Sequence, residues 1–277
     1  MTQRIRARIS KLTLVLFAAT AVLAVGAGAA SAASEPVYNN IPSPLPGNLP
    51  SIGFQATQTS EFGGQVEFAG TNRKNPTVKV TMSSFACVTG SWNGGNCGTP
   101  AGSKFEWPIT ISVYEVGGEN SVGSLVARAS KTFKLPYRPS ANYAKCNGAN
   151  AGKWYSMVSH ECFNGKAFSI SLGLKVAKLP EKAIIGVAYN TSNYGAEPQH
   201  AACQSTEAGC YYDALNVGVR EAGEGGPSLG ADPAPADAYI NSTTAANYCE
   251  NPGGVGTFAL SKNCWTEEQP AFAVAAH

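Results

Sequence analysis

The chain has 277 residues, of which 14% are charged, with 20 basic and 18 acidic side chains and a formal net charge of +2. Four of the basic side chains and none of the acidic ones precede residue 33, so residues 33–277 carry 16 basic and 18 acidic groups, a net charge of −2. This balance argues against a basic surface for nucleic acid or for anionic lipid.

The first 32 residues have the features of a signal peptide. A basic end is followed by the apolar stretch Leu12 to Val25 and by the small-residue sequence Ala30-Ser31-Ala32. That stretch is shorter than the roughly 20 residues a spanning helix needs, and the later apolar segments are short and broken. We therefore predict that residues 1–32 are a signal peptide and that the mature chain is extracellular, without a membrane span.

Residues 33–50 hold five prolines and predict an extended arm, because proline supplies no backbone N–H for a central strand. After this arm, apolar residues alternate with polar ones. The clearest case is Phe105 to Val113, in which Pro108 predicts an edge position or a bulge. Ala183 to Tyr189 is continuously apolar, as in a strand covered on both faces. Weaker signals recur at 66–68, 78–82, 125–133, 168–174, 215–219, 255–260 and 272–274.

These patterns predict the fold class. No segment combines a helical apolar period with good helix formers for more than about two turns. The length after the leader suits one large domain. We therefore predict an all-β chain, an antiparallel β-sandwich of immunoglobulin-like or jelly-roll type, formed by residues 51–277 and carrying long disulfide-tied loops.

Eight cysteines follow the predicted leader and predict an oxidising compartment. We predict four bonds between neighbours, although sequence alone allows 105 pairings of eight cysteines. A zinc site with His200 is the disfavoured alternative, because no CxxC spacing is present. The predicted pairs are Cys87/Cys97, Cys146/Cys162, Cys203/Cys210 and Cys249/Cys264.

Aromatic side chains accompany the cysteines and are the candidate ligand-binding residues. Rings on rigid loops stack on the flat C–H faces of sugars, so they predict a glycan platform. The alternative is that the same rings pack in the core, where a tryptophan against a disulfide is common. The candidates are Trp92, Trp154, Tyr155, Tyr194 and Trp265.

Catalytic signals are weak, and we predict no catalytic residue. Gly226 to Gly230 matches the esterase motif G-x-S-x-G, but the prolines that follow cannot begin the helix which that motif requires. Ser159-His160-Glu161 is not a triad, because neighbours on a strand point to opposite sides. Glu161, Glu197, Asp213, Asp232 and Asp237 offer carboxylates, without a spacing that selects a glycosidase pair.

No cofactor is predicted, apart from a calcium candidate. Asp232, Asp237 and Asn241 offer the hard oxygen ligands that calcium prefers. The prolines among them, and the absence of the regular ligand spacing of a calcium loop, argue against such a site.

Three segments carry a resemblance to known proteins. They are LPYRPSA at 135–141, VAYNTSNYG at 187–195 and SLGADP at 228–233, together with Asn241-Ser242, Gly256-Thr257-Phe258 and Cys264-Trp265. They resemble a group of secreted proteins of high-GC Gram-positive and other soil bacteria, over most of the mature chain. The resemblance implies an extracellular location and a single β architecture, and it carries no activity or substrate.

The sequence thus predicts a secreted, non-catalytic β-sandwich protein that binds a glycan or a protein at the cell surface. One alternative is a secreted hydrolase acting on glycans or esters. A second alternative is a structural component of an extracellular layer.

Overall fold

Almost all regular structure in the described part of the chain is β-strand. The computed structural model describes residues 33–190, 214–220, 225–249, 254–263, 265 and 268–277. The predicted signal peptide, residues 1–32, lies outside them. Three 3₁₀ turns lie at Gly118–Asn120, Gly148–Asn150 and Ala245–Asn247. No helix in this part has the length and apolar character needed to cross a membrane.

The strands form two large antiparallel sheets and one hairpin. The first sheet contains β1 (Glu35–Asn39), β2 (Ser51–Gly53), β4 (Thr77–Ser84), β9 (Lys166–Gly173), β11 (Leu215–Arg220), β14 (Gln269–Pro270) and β15 (Phe272–Ala276). The second has the order β13 (Ala259–Ser261), β12 (Ala238–Ser242), β3 (Thr59–Glu67), β10 (Lys182–Ala188), β5 (Lys104–Val116) and β6 (Val122–Pro136). The hairpin consists of β7 (Trp154–Tyr155) and β8 (Cys162–Phe163).

One hydrophobic cluster takes side chains from both large sheets. Ile111 of β5 and Val187 of β10 belong to the same buried cluster as Val80 of β4 and Phe272 of β15. Alternate residues of a strand point to opposite faces, so the period-two pattern places one face of each strand in this core. The predicted all-β antiparallel class is confirmed. The assignment to an immunoglobulin-like or jelly-roll sandwich stays a prediction.

Two local predictions concern the second sheet. The outer face of β10 is covered, because Ile184 packs with Tyr114 and Tyr239 in a second small buried cluster. Pro108 lies in the half of β5 that, within the described residues, pairs with β6 alone. This is the edge-like position in which a strand tolerates the missing N–H of proline.

The start of the proline-rich segment is anchored to the first sheet. Strand β1 pairs with β15 and buries Val37 and Tyr38. Ser228 fixes the outer side of this strand, because its backbone N–H donates to the Asn39 carbonyl oxygen at 2.8 Å and its hydroxyl donates to the same oxygen at 3.1 Å. Residues 33–50 therefore begin as an edge strand of the sheet.

Candidate functional site

Two disulfide bonds tie the long loops that connect β4 to β5 and β6 to β9. Cys87 bonds to Cys97, with a Cα–Cα distance of 5.4 Å, and Cys146 bonds to Cys162, with 5.9 Å. Both are predicted pairs. Cys249 is also disulfide-bonded. The remaining three cysteines lie outside the described residues: Cys203, Cys210 and Cys264.

The two tied loops dock on each other. The Tyr143 hydroxyl donates to the Gly95 carbonyl oxygen at 2.6 Å. Gly95 also meets Gly152 so closely that a Cβ atom on Gly152 would lie 2.5 Å from the Gly95 Cα. The missing Cβ of Gly152 therefore allows the backbones this approach. We call the resulting unit, residues 87–104 and 137–166, the loop platform.

A buried arginine, Arg138, connects the second loop of the loop platform to Ala86, the residue before the first loop. The Arg138 backbone N–H donates to the Ala86 carbonyl oxygen and its Nη2 donates to the Gly152 carbonyl oxygen, both at 2.9 Å. Its side chain is fully buried, and Nε and Nη1 have no hydrogen-bond partner among the described residues. Burial lowers the pKa of Arg138 to about 10, so the guanidinium still carries its positive charge at neutral pH.

A groove of about 500 Å³ crosses the loop platform. This volume lies in the range of small-ligand sites, about 300 to 1,000 Å³. One wall is held by Ser140, whose hydroxyl donates to the Thr99 carbonyl oxygen at 3.0 Å and accepts from the Thr99 N–H at 2.8 Å. The lining joins two aromatic rings, two lysines and small polar groups; it comprises Thr99, Pro100, Ala101, Gly102, Ser103, Lys104, Pro136, Tyr137, Pro139, Ser140, Ala141, Asn142, Tyr155 and Lys166.

Two of the predicted binding tryptophans point inward. Trp154 is 7% exposed, and its indole N–H donates to the Gly165 carbonyl oxygen at 2.6 Å. Trp265 is 9% exposed, and its indole N–H donates to the Ser261 hydroxyl at 3.0 Å, while its ring packs on Phe62. Both indoles are therefore placed as core side chains, the alternative weighed for them from the sequence.

The other aromatic candidates have different positions. Tyr155 is half-buried and lines the groove, and its hydroxyl lies 3.1 Å from Nδ1 of His160. Trp92 is half-buried and packs edge-on against Phe85, with 5.1 Å between the ring centroids. Tyr194 lies outside the described residues. Tyr155 is thus the one predicted residue that the structure places in the groove.

The calcium candidates are held by separate contacts. Oδ1 of Asp232 accepts the N–H of Ala234 at 3.0 Å, and Oδ1 of Asp237 accepts the N–H of Asn263 at 3.2 Å. Asn241 lies in β12, opposite Glu61 of β3. Within the described ranges no three acidic, histidine or cysteine side chains form a group that could hold a metal ion.

The sequence did not single out most of the groove residues. Asn142, Lys104 and Lys166 match no motif and carry no distinctive spacing, and Tyr137 lies in the segment 135–141, whose resemblance implies no binding role. These residues meet because β5 and β9 begin at the groove and β6 ends there, and because the two disulfide loops dock at the same place. Tyr155 lies between Cys146 and Cys162, and this position within a cysteine pair was the signal that singled it out.

Comparison with known protein families, with curated proteins and with solved structures gave no match for this chain.

Proposed function

We propose that the chain is a secreted, non-catalytic protein that binds a glycan in the groove of the loop platform, outside the cell. The disulfide bonds support an oxidising compartment, which agrees with the predicted signal peptide. The observation that carries the proposal is the groove itself, lined by Tyr137 and Tyr155 and by short polar side chains.

The composition of the lining suits a sugar. A pyranose ring presents flat C–H faces to the tyrosine rings and hydroxyls to Ser140 and Asn142. The disulfides and Arg138 hold the groove walls before a ligand arrives, so little side-chain or loop ordering opposes binding.

Replacement of the groove tyrosine tests the proposal. We expect Tyr155→Ala to weaken binding of the purified secreted protein to its ligand on a polysaccharide array by about two- to tenfold, because one stacked ring contributes roughly 0.5 to 1.5 kcal/mol. Leu125→Ala is the matched control, since Leu125 is an exposed large side chain on β6, away from the groove. The fold of both variants is checked by circular dichroism and thermal unfolding. Wild-type protein that binds no polysaccharide, or equal binding by both variants, would contradict the proposal.

A further inference from the structure

The loop platform and the rest of the chain have opposite charge. The platform contains five basic residues and one acidic residue, a net charge of +4, whereas the remainder of residues 33–277 contains 11 basic and 17 acidic residues, a net charge of −6. The net charge of −2 for residues 33–277 is therefore the sum of a positive loop platform and a negative remainder. A surface of one sign attracts ligands of the other sign. The basic residues are Lys104, Arg138, Lys145, Lys153 and Lys166.

None of these five cations forms an ion pair with an acidic side chain in the described parts of the chain, where the two ion pairs are Lys134–Glu106 and Lys182–Glu67. Lys104 and Lys166 line the groove, and its lining includes no carboxylate. The fully buried Arg138, next to the lining residues Tyr137 and Pro139, adds a positive charge that no ligand has to desolvate. The groove therefore favours a ligand with negative charge.

The shape of the site selects among anionic partners. A groove bordered by lysines admits a chain of sugar units, whereas the flat surface of a bilayer does not enter it. The exposed apolar side chains of the platform, Met157 at 75% and Val158 at 94% exposure, lie outside the groove lining. We infer that the groove binds an anionic glycan, a polysaccharide that carries carboxylate or phosphate groups. This inference rests on the proposed glycan-binding function and names the class of glycan.

Two matched pairs of polysaccharides test the charge of the ligand. The probes are polygalacturonate with its methyl ester and phosphorylated dextran with dextran, because each pair differs in charge and not in its sugars. We expect the wild-type protein to bind at least one acidic member about tenfold more tightly than its neutral partner. This preference should disappear when NaCl is raised from about 0.05 M to about 0.5 M, since salt screens exposed charges.

Three double variants locate the effect. Lys104→Gln with Lys166→Gln should weaken binding to the acidic member about tenfold and so remove the preference for it over the neutral member. Lys175→Gln with Lys178→Gln changes the net charge equally on exposed residues outside the platform, and it should have no effect. Met157→Ser with Val158→Ser should likewise leave polysaccharide binding unchanged, because these side chains do not line the groove.

The outcomes separate the inference from the proposed function. Equal binding to both members of each pair, lost in Tyr155→Ala, would retain the glycan function and overturn the anionic ligand. Failure to bind any of the four polysaccharides, together with binding to phosphatidylglycerol vesicles that Met157→Ser with Val158→Ser abolishes, would overturn both in favour of a lipid surface. Single-stranded DNA bound as tightly as the acidic polysaccharide would show attraction to any polyanion and would also overturn the inference.

Discussion

The Asp232 carboxylate lies in a turn where burial opposes its charge. Burial, reinforced by the nearby Asp237 carboxylate, raises the pKa of Asp232 from 3.8 to about 6, although the Ala234 N–H bonded to Oδ1 acts in the opposite direction. Between about pH 4 and pH 6 the folded chain therefore holds a proton that the unfolded chain has released. The contribution of Asp232 to stability is complete below pH 3.8 and is lost as the pH rises through about 6.

Asp232→Asn should remove this dependence on pH. Asparagine keeps an oxygen for the Ala234 N–H and carries no charge, so we expect the variant to exceed the wild type in free energy of unfolding by about 1 to 3 kcal/mol at pH 7. At pH 4 the two should be nearly equal. Urea unfolding at both pH values measures the difference. Burial also raises the pKa of Glu61, so a smaller slope of the same sign should remain in the variant. Parallel pH profiles for wild type and variant would show that Asp232 does not titrate in this window.

At the scale of elements, the loop platform depends on the close approach of two loop backbones. Gly152 has a φ of +82°, and its missing Cβ leaves room for Gly95. Gly102 has almost the same backbone conformation, with a φ of +81°, but a Cβ there would meet nothing within 4 Å. A substitution at Gly102 therefore introduces backbone strain alone, whereas a substitution at Gly152 introduces the same strain together with a steric collision.

We expect Gly102→Ala to lower stability by about 1 to 2 kcal/mol, the cost of a left-handed backbone for alanine. Gly152→Ala should cost about 1 to 3 kcal/mol more, because the new methyl group collides with the Gly95 backbone. Urea unfolding compares the variants, and limited proteolysis reports on the two loops directly. If both variants lost the same stability and resisted protease equally, the docking of the loops would not depend on this contact.

At the scale of the whole molecule, the core and the disulfide loops contribute separately. The cluster shared by the two large sheets contains no cysteine, and most of its side chains come from strands of those sheets. The bonds Cys87–Cys97 and Cys146–Cys162 instead close loops outside that cluster. The sheets should therefore fold without them, and the loop platform should lose its order.

Reduction with a thiol reagent tests this separation. The reduced protein should keep its far-ultraviolet β spectrum, with a lower unfolding temperature, because each bond of this loop length contributes at most about 2 to 3 kcal/mol. Ligand binding at the groove should fall more steeply than stability. A reduced protein with the circular dichroism spectrum of a random coil would show that the disulfides, and not the core, hold the sheets together.

The sequence by itself determined the all-β class, and the reason is that the signal of a strand is local. Alternation with period two sets which face of β5 is apolar whatever lies opposite, so Phe105, Trp107 and Ile109 were assigned correctly to the core. The continuous apolar run of β10 likewise indicated cover on both faces. Short separations made Cys87–Cys97 and Cys146–Cys162 the favoured bonds. Short strands such as β2 and β14 left no such pattern and were missed.

The tertiary structure alone decided the candidate site, because its contacts join residues that are distant in sequence. Tyr143 meets Gly95 across 48 residues, and no periodicity along the chain records that contact. A tryptophan beside a cysteine has the same sequence signal whether it faces solvent or the core, and only packing turned Trp154 inward. The net charge of the chain likewise concealed the basic loop platform, because a net charge does not record where the charged residues lie in the structure. Folding gathered Lys104 and Lys166 at one groove, and this juxtaposition carries the inferred negative charge of the ligand.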